Sequence, residues 1–181
     1  IFESLATVGS AGRVLVRVPL GQEDWGRSIV QPIEETVTRM EALLPLPGDT
    51  MEFVFLASSE QLAVVTGVPE SRLVASGTTG STSFGRVFIL SPQCIPYGHP
   101  WQRVASHELV HWWLHPGAHS HLPVFFEEGL ARYFEPVGLD EESGVLSLWE
   151  RAILAVALDN DLLLKPEELG AGFYELDSPL R

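Results

Sequence analysis

The chain is poor in cysteine and in basic residues: Cys94 stands alone, and 11 Lys+Arg face 24 Asp+Glu, for a formal net charge of −13. A lone thiol excludes an internal disulfide. With Pro92, Ile95 and Pro96 beside it and no base among those neighbours, Cys94 reads as a small, partly buried apolar residue. The cations are scattered, which leaves no basic cluster to track a phosphate backbone and excludes nucleic acid as the expected partner. Long hydrophobic runs are also missing. Even 145–158 is broken by Glu150 and Arg151, so no stretch reaches the length of a membrane span. No low-complexity tract and no repeat of about 20–50 residues occurs, which excludes fibrous and solenoid architectures. An acidic surface accords with solubility or with a basic substrate. The chain opens on Ile1, as a processed or trimmed form would, which leaves the compartment open, with secretion or the cell envelope as the expectation.

What is present is ordinary globular material: 181 residues with 45% hydrophobic content, enough for one core and short for two, so a single domain over 1–181 is expected. Val14, Val16 and Val18 alternate up to Pro19, predicting a strand over 13–18. Ile33, Val37, Met40, Leu43 and Leu44 recur at helical spacing after Pro32, which is expected in a first turn. Residues 51–57 predict a second strand, 60–66 a short helix, 77–83 a turn-rich stretch and 84–90 a third strand. From Pro100 the pattern turns helical, over 101–115, 123–135 and 146–158, with stops at Pro116-Gly117 and Pro136. Strands in residues 1–99 and helices in 100–181 predict an α+β fold, a small mixed sheet packed on helices.

The chemistry concentrates in His107-Glu108-Leu109-Val110-His111. Two histidines four apart lie about 40° apart around a helix and one turn along it, so both imidazoles reach a single ion. Glu108 is rotated about 100° from His107, beside the place of a bound water, which suits a base and not a ligand. Val104, Leu109 and Trp112 supply the apolar side of the same helix. Two histidines and a glutamate on a packed helix without a metal would leave costly polar groups to satisfy.

A catalytic zinc takes three protein ligands and leaves a fourth position to water. The following helix carries Glu127-Glu128-Gly129-Leu130-Ala131-Arg132-Tyr133-Phe134-Glu135. Over roughly 107–135 the sequence resembles the gluzincin metallopeptidases of the compact peptidase-MA-like branch, whose HExxH is followed by a helix bearing a glutamate ligand in a Glu-Gly-Leu-Ala-like run. The resemblance implies a zincin-like fold, one Zn2+ per chain, Glu128 as third ligand and a peptide or protein substrate. Helix geometry favours Glu128 over Glu127 independently, because Glu128, Arg132 and Glu135 share one polar stripe whereas Glu127 falls with Ala131 and Phe134. Glu135 is either a surface glutamate or, as its resemblance in position to a glutamate of the aminopeptidase-like relatives implies, the acceptor of a ligand histidine's second N–H. The metzincin pattern fails, with Leu114 at its glycine position and Gly117 at its last histidine position.

Among the other histidines, His115 is expected at a helix end, His119 and His121 in a connecting loop, and His99 is uninformative. The expected mechanism is attack of a water on a peptide carbonyl with Glu108 as general base, the proton passing on to the leaving amine. The resemblance to gluzincins implies a downstream Tyr or His as oxyanion stabiliser, with Tyr174 the nominee ahead of His119 and of Tyr133, which reads as core. The resemblance further implies that substrate lies extended beside a strand bordering the cleft, for which 84–90 is the candidate. Two alternatives stand beside the peptidase: a zincin-fold binding or regulatory module without turnover, and a latent enzyme inhibited by its termini or by self-association.

Overall fold

A computed structural model describes residues 4–163 apart from 47, 49, 96–97 and 115–121. The fold is α+β. Five strands, β1 (Leu5–Ala11), β2 (Val14–Pro19), β3 (Met51–Leu56), β4 (Gly80–Ser83) and β5 (Arg86–Leu90), form one mixed sheet in the order β1-β2-β3-β5-β4. The central pairs β2–β3 and β3–β5 are parallel, while β1–β2 and β4–β5 are antiparallel hairpins. The six helices described are α1 (Glu23–Glu41), α2 (Ser59–Thr66), α3 (Glu70–Ser76), α4 (Trp101–Leu114), α5 (Val124–Phe134) and α6 (Leu148–Asp159). None is long and apolar enough to cross a membrane.

Successive residues of a strand point to opposite faces, and both faces of the central strands are covered. Phe53, Phe55, Val87 and Ile89 join Ile29, Ile33, Val37, Met40 and Leu109 in the core beneath α1 and α4. Val54, Leu56, Phe88 and Leu90 meet Leu62 of α2 and Leu73 of α3 on the other face. Each such side chain, fully buried, contributes about 1.5–3 kcal/mol. Double coverage explains why β3 and β5 read as nearly continuous apolar runs.

β1 and α3 lie where no element is expected, and three further departures have a visible cause. First, α1 begins at Glu23, nine residues before Pro32, and runs through it. Proline removes one helical hydrogen bond, but the buried stripe of Gly26, Ile29, Ile33, Val37 and Met40 on both sides of it holds the helix together. Gly26 lets β1 and β2 approach: a Cβ there would meet Val18 and Val8 at 2.8 Å. Second, the turn-rich stretch contains β4, because Phe84 and Gly85 take positive φ (53° and 69°) and close a two-residue hairpin with Ser83 opposite Arg86. That is the backbone of a type I′ turn, whose twist matches paired strands. Third, Cys94 is exposed in a short turn of 3-10 helix (Pro92–Cys94), its Sγ accepting from Gln22 Nε2 at 3.1 Å.

Candidate metal centre

Packing of α4 orients the candidate residues. Trp101, Ala105, Leu109 and Trp112 form its buried stripe, which leaves His107 and His111 facing α5 and Glu108 facing β4. Gly138, in the turn of 3-10 helix Glu135–Leu139, allows the close approach that completes this side. A Cβ on Gly138 would lie 2.1 Å from the Gln102 carbonyl oxygen.

His107 Nε2 and His111 Nε2 stand 3.1 Å apart. Glu128 Oε2 is 3.4 Å from His107 Nε2, and Glu128 Oε1 is 3.5 Å from His111 Nε2. The three residues offer ligand atoms that all lie within 4.8 Å of one another, a group able to hold a metal ion. The donor set passes a geometric test. Two ligands about 2.0–2.1 Å from a tetrahedral zinc are separated by about 3.3–3.4 Å, close to the distance of each histidine nitrogen from its nearer Glu128 oxygen. Glu127 also borders the cleft but is not part of the group.

Around this triad the hydrogen bonds orient rather than compete. His107 Nδ1 donates to Glu135 Oε1 at 3.0 Å, which fixes the ring and turns Nε2 toward Glu128. Glu135 is buried, not a surface glutamate, and both its oxygens accept from Arg132 Nη1, at 2.9 and 2.7 Å. Burial opposes protonation of His107, yet the bonds to Glu128 and Glu135 outweigh it and hold its pKa up at about 10. The bond from His107 keeps the Glu128 carboxyl below its ordinary range. Glu135 is low as well, because the bonds from His107 and Arg132 overcome the burial that would raise it.

No protein-family model and no curated protein matches the chain.

Glu108 differs from its neighbours in the triad. It is buried, and burial lifts its pKa to about 7 against the opposing influence of His107 and Thr82. The Thr82 hydroxyl lies 2.8 Å from the Glu108 carbonyl oxygen and 3.0 Å from Oε2 and donates there, pinning the carboxyl against β4. Gly80 makes the room: its Cβ, were there one, would fall 2.9 Å from Glu108 Oε1. A carboxyl poised near neutrality beside three metal-type ligands is suited to taking and returning a proton.

All these groups border one cleft of about 820 Å3, walled by α3 and β4 on one side and by α5 and the start of α6 on the other. The exposed edge of the sheet in this cleft is β4. The strand expected to lie beside substrate, 84–90, is instead β5, which has β3 and β4 bonded along its two sides and no edge to offer. His99 borders the cleft with Nε2 bonded to the Leu90 carbonyl at 2.6 Å, and burial lowers its pKa. Tyr133 is half exposed, not core, with its ring against Phe134, and it lies away from the cleft. His115, His119, His121 and Tyr174 lie outside the described residues. Thr82 and Gly80 had no signal in the sequence beyond a polar stretch that read as turn.

Proposed function

We propose that the chain acts as one domain and is a zinc-dependent peptidase, with His107, His111 and Glu128 holding one Zn2+ and Glu108 serving as general base. The observation that carries this reading is the convergence of three ligand atoms within 4.8 Å of one another beside a buried carboxyl that is not one of them. A purely structural zinc needs no base next to an open coordination position.

When bound, the zinc supplies a Lewis-acid charge that acidifies water and polarises a carbonyl. The protein's residues do the rest. Glu135 keeps the lone pair of His107 Nε2 directed inward by accepting the proton of Nδ1. Thr82 and the space over Gly80 hold the Glu108 carboxyl in one orientation, from which it takes a proton from the attacking water and delivers it to the leaving amine. An extended peptide fits the free edge of β4, pairing its backbone with 80–83, so that the scissile carbonyl comes to lie near Glu108. This edge recognises main chain, which favours peptides over other amides.

The deciding experiment pairs metal analysis with cleavage of a denatured protein substrate, for the parent and for Glu108→Gln. About one zinc per chain is expected in both, with cleavage in the parent alone. Zinc in both and cleavage in neither, at low as well as high protein concentration, would make this a zinc-binding module without turnover. Absence of zinc from both would end the metal reading.

A further inference from the structure

Glu135 does not stand alone behind His107. Arg132 Nη1 binds its two oxygens, and Arg132 Nη2 binds Glu150 Oε1 on the first turn of α6. Arg103 spans the same pair, its Nε 3.8 Å from Glu135 Oε2 and its Nη2 4.0 Å from Glu150 Oε2. Glu150 Oε2 also accepts the Ser147 backbone N–H at 2.7 Å, while Ser147 Oγ accepts the Glu150 N–H, the reciprocal pair of a capping box. One carboxylate thus closes the N-terminus of α6, binds the arginine that grips Glu135 and lies within ion-pair distance of the second.

We infer that Glu150 is a positioning residue for the metal centre, acting through Arg132 and Arg103 on Glu135 and through Glu135 on His107. Two carboxylates alternate with two guanidiniums in this cluster. The side chains of Glu135, Glu150 and Arg103 are 9%, 17% and 18% exposed, so the charges are poorly screened, unlike those of a surface pair. Arg132 is the most exposed member, at 56%. Without Glu150 its second nitrogen has no partner in the cluster, and the guanidinium is free to turn to solvent, releasing both oxygens of Glu135. α6 packs little of itself into the core, with Ala157 its one buried residue. The contact between the start of α6 and the partner of His107 therefore runs through the Glu150 carboxylate and not through the packing of the helix.

The inference rests on the metal reading above, and the test separates the two. Zinc affinity is measured by competition with a chromophoric chelator, and the cobalt-substituted protein is followed by its visible absorption. Partners behind a ligand histidine are worth about 10–100-fold in affinity, so Glu150→Gln, one step further out, is expected to weaken zinc by about threefold to tenfold and to shift the cobalt spectrum. Ser147→Ala, which removes the cap hydroxyl and leaves the charge, should lower Tm with zinc affinity unchanged. Glu150→Gln should add nothing in a Glu135→Gln background. Arg132→Gln cuts the same path at an exposed position and stands in if Glu150→Gln fails to fold. Parent-like zinc affinity in the Glu150→Gln protein, an equal loss in Ser147→Ala, or additive losses in the double variant would overturn the inference alone. A parent that takes up no zinc would overturn the metal reading with it.

Discussion

Gly80→Ala tests the tightest contact around the proposed base. The added Cβ would lie 2.5 Å from Val104 Cγ1, 2.9 Å from Glu108 Oε1 and 3.1 Å from Glu108 Cγ. Ordinary contact between such atoms begins near 3.4 Å, so relief needs a shift of about 1 Å. Val104 cannot give way by rotation, because a β-branched side chain in a helix has essentially one χ1. Nor is Glu108 free, since Thr82 holds both its carbonyl and its Oε2. β4 is tied to β5 through the Gly80–Ile89 pair. Either the carboxyl moves or strand and helix separate, at an overpacking cost of about 1–3 kcal/mol. Displacing a catalytic group by about 1 Å costs about a hundredfold in rate. His107 and His111 face α5 and are spared, so zinc affinity should change by no more than about threefold, a small fraction of what a lost partner of a ligand costs. The assays are kcat/KM on a fluorogenic peptide, chelator competition and thermal unfolding. Cleavage at the parent's rate would refute the claim that β4 confines Glu108. Loss of zinc in step with activity would refute the separation of base from ligands.

Three other outcomes are expected. Glu128→Ala should weaken zinc binding by more than about a hundredfold, beyond the effect of a residue that only supports a ligand; unchanged affinity would pass the ligand role to Glu127 or another residue. In the metal-free protein His107 is held at about 10, above the value of about 6.5 in an unfolded chain. Its contribution to stability is complete below pH 6.5 and is lost as pH rises through 10, so the Tm of the chelated protein should fall steadily between pH 7 and 9. Zinc binding displaces that proton and gains affinity over the same range, so saturating zinc should flatten the slope; a metal-free Tm independent of pH would contradict the His107–Glu128 pairing. Phe84 is 83% exposed with φ 53°, so Phe84→Asn, which creates the Asn-Gly pair favoured in this turn, should stabilise by about 1 kcal/mol. A lower Tm would mean that the ring contributes packing.

The elements legible in the sequence are those whose burial leaves a periodic trace. β2 alternates because α1 covers one of its faces, and α5 shows one apolar stripe because only Ala131 and Phe134 of it are buried. β1, with Gly9 and Ser10 among its seven residues and no fully buried one, lacked that trace. So did β4, where Gly-Ser-Thr-Ser carries no apolar residue and the strand exists through its pairing with β5. Pro32 misled in the opposite direction: its local preference for a first turn was real, but tertiary packing on both sides of it was stronger.

The same division separates what was and was not readable in the site. His107, Glu108 and His111 are related by helix geometry alone, and Glu128 was separated from Glu127 by the stripe it shares with Arg132 and Glu135. That stripe is also the direction of the Glu135–Arg132–Glu150 path, although its last member lies on another helix and no spacing within α5 points to it. Thr82 was invisible for a related reason. Its role depends on the hairpin turn at Phe84-Gly85, which lays a polar tetrapeptide along α4 and brings a hydroxyl to Glu108 from 26 positions away. Ligands to one ion can be written into two helices, but the orientation of a base comes from whichever strand packs over it. If that division holds, substitutions at Thr82 should change the pH dependence of cleavage more than the affinity for zinc, and substitutions at Glu135 should do the reverse.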